Sequence, residues 1–111
     1  MFTGIIEEIG IIDEIKNNKD IVYVKILCNK VLNDLHKGES ICVSGICLTV
    51  VEKGKNFFSV EIVPETIDKS NSKNWRKNSL INLERSLKLT DRINGHIVQG
   101  HVDNVCIVKN V

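Results

Sequence analysis

Apolar and polar positions alternate along short stretches of this chain, and turn-forming residues separate the stretches. The central stretch, residues 40–51, consists of an apolar run, a Ser-Gly turn and a second apolar run. Apolar runs bounded by Gly and Ser are typical of strands. In the second run Cys47 and Thr49 fall on one face, while Leu48 and Val50 fall on the other. This pattern allows two interpretations: a hairpin that presents a thiol and a hydroxyl to a ligand, or a core hairpin that buries both groups.

The same pattern predicts further strands with turn signals at short intervals and without a long amphipathic helix. Within the first strand, Gly10 marks either a bulge or a close backbone approach. Pro64 ends the strand before it and favours the start of a short helix. Together these features indicate an all-β fold, a small barrel with one or two short helical turns. The predicted strands are residues 5–15, 21–28, 57–63 and 79–84, the helical turns are 31–35 and 65–69, and a final extended segment covers 95–103.

The size and charge of the chain restrict its class. At 111 residues it forms one domain. A net charge of +1 argues against a nucleic-acid partner. Apolar runs are too short for a membrane span, and the N-terminus lacks the features of a signal peptide. We therefore expect a cytoplasmic protein with no membrane partner.

The four cysteines are Cys28, Cys42, Cys47 and Cys106. Neither they nor the three histidines have the spacing of a zinc site. All four lie in apolar, strand-like runs, and nothing in the sequence indicates secretion. We expect reduced thiols and no metal site.

Two short motifs carry groups that suit acid–base chemistry or polyol binding. His96 and His101 each follow a glycine, and each imidazole can exchange a proton near neutral pH. Their spacing of five predicts rings on opposite faces of a straight strand; the alternative is surface histidines at a turn. Glu65 and Thr66 follow Pro64, where a carboxylate and a hydroxyl can bind a polyol. The alternative there is an ordinary helix start.

The N-terminus carries two further signals. Phe2 begins an apolar end that could plug a pocket, although plain packing is the alternative. Residues 2–7, FTGIIE, also align with residues 98–103, VQGHVD, with glycine on glycine and an acid on an acid. Such a match predicts that the chain ends a few residues into a second copy of its own domain.

Four motifs in this order, MFTGIIEEIG, SGICLTV, VPET and GHIVQGHVD, resemble the riboflavin synthase family, whose members contain tandem lumazine-binding domains. The resemblance covers essentially the whole chain. It implies a six-stranded Greek-key barrel over residues 1–97, with residues 98–111 forming a closing strand or the start of a truncated second repeat. Three protomers assemble in that family, and we expect a single barrel to pair with itself as a dimer.

The resemblance also implies a transferase reaction in riboflavin biosynthesis. Two molecules of 6,7-dimethyl-8-ribityllumazine dismutate to riboflavin and 5-amino-6-ribitylamino-uracil, without a cofactor or a metal. Holding two substrates together contributes on the order of 7–11 kcal/mol, and positioned proton transfer contributes about 10²–10⁴-fold. Because the family's second barrel is missing here, we expect weak or no turnover. The alternatives are a non-catalytic lumazine or flavin carrier and a structural barrel without a ligand.

Family roles transfer to this sequence through the matching motifs. The thiol of Cys47 is expected beside the reacting ring, and the hydroxyl of Thr49 beside the ribityl chain. The resemblance implies catalytic roles for His101, His96, Cys47 and Ser40. It implies ligand contacts for Phe2, Gly4, Ile5, Ile6, Cys47, Thr49, Glu65, Thr66 and Val102.

Overall fold

A computed structural model describes residues 1–87 and 100–108 of the chain. The predicted segment from residue 95 to 99, which includes His96, lies outside these residues. No helix within the described part is long and apolar enough to cross a membrane. The strands are β1 (Glu8–Asn17), β2 (Val22–Leu27), β3 (Ser40–Val43), β4 (Ile46–Lys53), β5 (Phe57–Ile62) and β6 (Leu80–Arg85), and the α-helix α1 is Pro64–Lys69.

The six strands close into a barrel in the order β1-β2-β5-β4-β3-β6, with β6 paired back to β1. Every neighbouring pair is antiparallel. Strands β3, β4 and β5 follow one another as neighbours, and β6 returns to lie beside β3, which is a Greek-key arrangement. The predicted small all-β Greek-key barrel is confirmed.

The alternation along β4 sets the two faces of the barrel wall. Leu48 and Val50 are buried in the core, Cys47 is half-buried and Thr49 is exposed. This is the predicted arrangement, and it excludes a hairpin that buries both Cys47 and Thr49 in the core. Other strands contribute their inward positions to the same core. Its fully or nearly fully buried members include Ile12, Val24, Ile26, Ile41, Val43, Phe58, Val60 and Leu83.

The β3–β4 hairpin turns through two residues with positive φ, Ser44 at 46° and Gly45 at 88°. Two-residue turns of this handedness match the twist of antiparallel strands. Ser44 also joins the turn to β6: its N–H donates to the Asn82 carbonyl at 2.7 Å, and its hydroxyl accepts from the Asn82 N–H at 3.0 Å. The turn is therefore attached to β6 as well as to the two strands that it connects.

Gly10 marks a close approach between strands. A Cβ atom at Gly10 would lie 2.8 Å from Leu83 Cδ1 and 2.9 Å from Ile26 Cγ2. The β-bulge of β1 falls further along, between Ile12 and Glu14. Of the two sequence-based interpretations of Gly10, the structure supports close approach.

The structure departs from the predicted elements at two places. Strand β1 starts at Glu8 rather than Ile5, and the apolar residues before it are exposed. A 3-10 turn, Asn71–Asn74, forms where no helix or strand was predicted. Its first N–H groups are partly satisfied by the hydroxyl of Ser70, which accepts from the Ser72 N–H, and this turn leads into the buried Trp75.

Replacing Gly10 by alanine is expected to lower the free energy of unfolding by about 1–3 kcal/mol, because the added methyl group overpacks the core. The measurement is urea denaturation. Ile9→Val, on the exposed face of the same strand, is the control and should change stability by less than about 0.5 kcal/mol. Equal stability of the Gly10→Ala variant and the unchanged chain would contradict the close approach.

Candidate functional site

A cleft of about 190 Å³ lies on the outer side of the barrel. Three separate stretches form it: the beginning of β4, helix α1 and residues 100–102. Five of its lining residues were predicted from the sequence, namely Cys47, Glu65, Thr66, His101 and Val102. The remaining lining residues are Ile46, Lys69 and Gly100.

The segment that begins at Gly100 lies directly against β4. The Cys47 N–H donates to the Gly100 carbonyl at 2.9 Å. Gly100 has a φ of 74°, and a Cβ atom there would lie 3.2 Å from the Cys47 nitrogen. Val102 packs against the barrel core from this segment. A glycine is thus needed for both the backbone conformation and the close approach, and it positions His101 at the cleft.

Helix α1 presents its first turn to the cleft. The Val63 carbonyl accepts hydrogen bonds from the N–H groups of Thr66, at 3.0 Å, and Ile67, at 3.2 Å. Ile67 packs against the barrel core, so the helix is attached through this side chain. Thr66 is consequently half-buried, while Glu65 is exposed. This arrangement places a hydroxyl and a carboxylate side by side at the strand-to-helix junction.

Lys69 is a cleft residue that the sequence analysis missed. Its ammonium group lies 2.9 Å from Glu65 Oε1. The hydrogen bond from Lys69 and its positive charge hold the pKa of the Glu65 carboxyl below its usual value. The same contact raises the pKa of Lys69. The spacing of Glu65 and Lys69, four residues apart on a helix, was the signal that could have found the pair.

The N-terminal segment is held on β6, away from the lining of the cleft. Buried Glu84 accepts hydrogen bonds from the N–H of Thr3 at 2.8 Å and from the N–H of Gly4 at 3.1 Å. Phe2 is fully buried but does not belong to the cluster that fills the barrel. The residues that follow it, Gly4, Ile5 and Ile6, are exposed. The ligand contacts expected of these residues stay predictions.

Ser40 and Thr49 form a second predicted group, near the cleft but not among its lining residues. They are direct cross-strand partners on β3 and β4. Thr49 points to the same face as Cys47, two residues along the strand, or about 6.8 Å away. The hydroxyls therefore extend the polar face of β4 beyond the cleft, and their roles stay predictions.

The structure describes His101 but not His96. His101 is exposed at the cleft, as a proton-transfer group at a ligand site would need to be. The predicted opposition of His101 and His96 on two faces of a strand stays a prediction, because His96 falls outside the described residues. Within those residues, no three His, Cys, Asp or Glu side chains are grouped so that they could hold a metal ion.

The cleft brings together a thiol, a hydroxyl, a carboxylate, an ammonium and an imidazole beside the apolar side chains of Ile46 and Val102. A few convergent polar groups next to apolar walls are typical of small-molecule sites. The hydroxyl and the carboxylate can bind a polyol chain. The imidazole nitrogens can donate or accept a hydrogen bond.

Comparisons with known proteins found similar sequences. A family model described as the lumazine binding domain matches residues 3–86. The chain is 43% identical to a riboflavin synthase from Bacillus subtilis, over all of this chain and 52% of that protein. It is 42% identical to a riboflavin synthase from Saccharomyces cerevisiae, over 95% of this chain and 47% of that protein. The chain thus spans about half the length of these curated relatives.

Solved structures are similar as well. A crystal structure of LumP complexed with riboflavin superposes with a TM-score of 0.84 at 26% identity, covering 94% of this chain and 56% of that chain. A second crystal structure holds LumP complexed with 6,7-dimethyl-8-(1'-D-ribityl) lumazine; its TM-score is 0.82 at 26% identity, over 94% of this chain and 58% of that chain.

Replacing Glu84 by glutamine is expected to lower the free energy of unfolding by about 1–3 kcal/mol, because the new amide group faces the Thr3 and Gly4 donors. Urea denaturation measures this loss, and amide hydrogen exchange should become faster at Thr3 and Gly4. Glu61→Gln, at an exposed position on β5, is the matched control. Unchanged exchange at Thr3 and Gly4 in the Glu84→Gln variant would show that this carboxylate does not hold the N-terminal segment.

Proposed function

The chain belongs to the lumazine-binding domain family, and from this membership we propose that its outer cleft binds 6,7-dimethyl-8-ribityllumazine and the related flavin product. The observation that carries the proposal is convergence. Residues from three motifs far apart in the sequence, SGICLTV, VPET and GHIVQGHVD, line one cleft. Each contributes a group of the kind that a heterocycle with a ribityl chain requires.

The ribityl chain of the ligand lies along helix α1 in this proposal. Its hydroxyls donate hydrogen bonds to the Glu65 carboxylate, and the Thr66 hydroxyl adds a group that donates and accepts. Lys69 then either keeps its contact with Glu65 or donates to a ligand oxygen. The heterocycle lies over Cys47, with the polar face of β4 continuing toward Thr49.

A second barrel completes the site in the whole protein. The cleft volume of about 190 Å³ is below the roughly 300–1,000 Å³ of typical ligand pockets. An open half-site of this size suits a ligand whose other face is covered by a second domain with its own ligand. Stacking two lumazines in this way supplies the proximity on which their dismutation depends.

We propose that the whole protein is a riboflavin synthase that transfers a four-carbon unit between two stacked lumazines, without a cofactor. His101 and Cys47 act at the reacting ring, with Ser40 and His96 as further groups near it. A carbanion formed at a lumazine methyl group needs a base to remove the proton and an acid to return one. An imidazole can act as a general base and, once protonated, as a general acid, so it suits both steps.

Residues 98–111 begin the second lumazine-binding repeat in this proposal. Support comes from the aligned positions Gly4 and Gly100, which have similar positive φ angles, 83° and 74°. L-residues with a side chain rarely adopt this conformation. The whole protein assembles as a homotrimer, and a single barrel pairs with itself.

A second candidate is a carrier that binds lumazine or flavin without turnover. The similarity to LumP, solved in complexes with riboflavin, the lumazine and flavin mononucleotide, favours this candidate. Both candidates require the cleft to bind a ribityl compound, and only the synthase requires riboflavin to form.

Binding is tested by titrating the chain with 6,7-dimethyl-8-ribityllumazine and following its absorbance and fluorescence. We expect a perturbed spectrum, and an increase in Kd of about 3- to 10-fold for both Glu65→Gln and Thr66→Val. The first change replaces a charged acceptor oxygen by an amide NH2 group, and the second removes the hydroxyl. Asp68→Asn, at an exposed position on α1 outside the cleft, is the control. A Kd that is the same in all four proteins would remove the helix from the site, and an unperturbed spectrum would refute ligand binding.

Turnover is tested by following riboflavin absorbance after adding the lumazine, with a sample lacking protein as the baseline. We expect slow formation above this baseline, with a rate that rises as the square of the protein concentration, because two barrels must meet. His101→Ala should lower this rate by about 10²-fold or more if the imidazole transfers a proton. Binding without turnover at any protein concentration would favour the carrier.

A further inference from the structure

We propose that Cys42 and Cys47 form an oxidisable thiol pair, which a small-molecule disulfide converts to a disulfide bond across the β3–β4 hairpin, next to the cleft. Formation of this bond follows from the hairpin geometry alone. Its effect on ligand binding rests on the proposed function, and the two are measured separately below.

The register of the hairpin places the two cysteines directly opposite each other. Val43 and Ile46 flank the two-residue turn, and Cys42 and Cys47 are the next pair. Cross-strand pairs alternate between hydrogen-bonded and non-hydrogen-bonded types, and the pair that closes a two-residue turn is hydrogen-bonded. The cysteine pair is therefore of the non-hydrogen-bonded type.

A backbone hydrogen bond supports this assignment. The Cys47 N–H points away from β3 and donates to Gly100 at 2.9 Å. In a non-hydrogen-bonded pair the two Cα atoms are about 4.5 Å apart, and side chains lie closer than in the other type. Disulfides span Cα separations of about 4.4–6.8 Å. Only a small approach of the two side chains is needed for bonding.

Both thiols lie on the outer face of the barrel. Directly opposite residues of an antiparallel pair share a face, and the neighbours Ile41 and Leu48 occupy the core. The remaining cysteines are elsewhere. Cys28 is buried just after β2, which pairs only with β1 and β5 among the described strands, and Cys106 is exposed beyond β6.

The two thiols differ in reactivity. Cys47 is half-buried and accessible, whereas Cys42 is 7% exposed. Burial raises the pKa of the Cys42 thiol, and the nearby Glu84 carboxylate and Cys47 raise it further, against a lowering by the Gly45 N–H. Thiolates, not thiols, attack disulfides. Cys47 is therefore the residue expected to react first.

The reaction balances with oxidised glutathione as the oxidant. The Cys47 thiolate attacks one glutathione sulfur, forms a mixed disulfide and releases one glutathione thiolate. The Cys42 thiolate then attacks the Cys47 sulfur, forms the cross-strand bond and releases the second glutathione thiolate. The protein loses two electrons and two protons, and two molecules of reduced glutathione form.

The bond also removes a group from the cleft. Cys47 lines the cleft, and bonding to Cys42 turns its sulfur atom toward β3. If the lumazine ring lies over this thiol, the oxidised chain binds the ligand more weakly and reduction restores binding.

The experiment treats the Cys106→Ser variant with excess oxidised glutathione, which avoids pairing between chains through the exposed cysteine. Trypsin then releases a peptide from Gly38 to Lys53 that contains Cys42, Cys47 and no other cysteine. We expect this peptide to lose two hydrogen atoms in mass and to regain them with a reductant. Adding Cys42→Ala should instead leave glutathione attached at Cys47, and adding Cys28→Ala should change nothing.

Two results would overturn the thiol pair: a peptide that keeps glutathione on Cys47 without closing the ring, or a peptide with both thiols free. The consequence for the cleft is tested by the Kd for lumazine before and after oxidation, with an expected increase of at least 3-fold. An unchanged Kd in a fully bonded chain would contradict the coupling to the cleft. A reduced chain that does not bind lumazine would refute the proposed function instead, and leave the disulfide result standing.

Discussion

Strand β4 has to serve two environments at once, and the period of two along an extended chain makes this feasible. Leu48 and Val50 fill the barrel, while Cys47 and Thr49 are directed outward. A slip of one residue in the register would exchange these sets, placing polar groups in the core and leucine and valine outside. The turn at Ser44-Gly45 prevents that slip, because it sets the pairing of β3 with β4 and is itself bonded to β6.

Polar contacts also fix two segments against the outside of the barrel. The buried carboxylate of Glu84 collects N–H donors from the N-terminal segment, and the carbonyl of Gly100 accepts from β4. Arg85 adds an ion pair with Glu7 at 2.8 Å, which lowers the pKa of that carboxyl. Both segments thus lie against the wall without joining the sheet as strands. The cleft forms between helix α1, the beginning of β4 and the segment that begins at Gly100.

Local pattern was sufficient for most of the fold. The β3–β4 hairpin, helix α1 and the faces of β4 follow from spacing and turn chemistry over a few residues. Closure of the barrel through β1 and β6, and the pairing of β2 with β5, join residues far apart in sequence, so periodicity alone does not determine them. The Greek-key order was reached through the resemblance of whole motifs to a known family.

Most of the candidate site could be predicted from sequence motifs. The prediction was incomplete because some of the relevant contacts have no local signal in the sequence. Cys47, Glu65 and Thr66 belong to motifs, and the structure brings them into one cleft. The burial of Glu84 had no local signal, because it occupies an outward position of β6 and is covered by a segment some 80 residues away in sequence. Lys69 lies in the cleft on helix α1, which packs against the barrel core through Ile67.

We propose that the ligand binds outside the barrel, between β4, α1 and the segment at Gly100. An amide-resolved NMR titration with 6,7-dimethyl-8-ribityllumazine tests it most directly. We predict the largest shifts at Cys47, Thr66 and His101, with little change at the outer face of β2. Shifts concentrated on β2, or spread over core residues such as Phe58, would contradict ligand binding at this cleft.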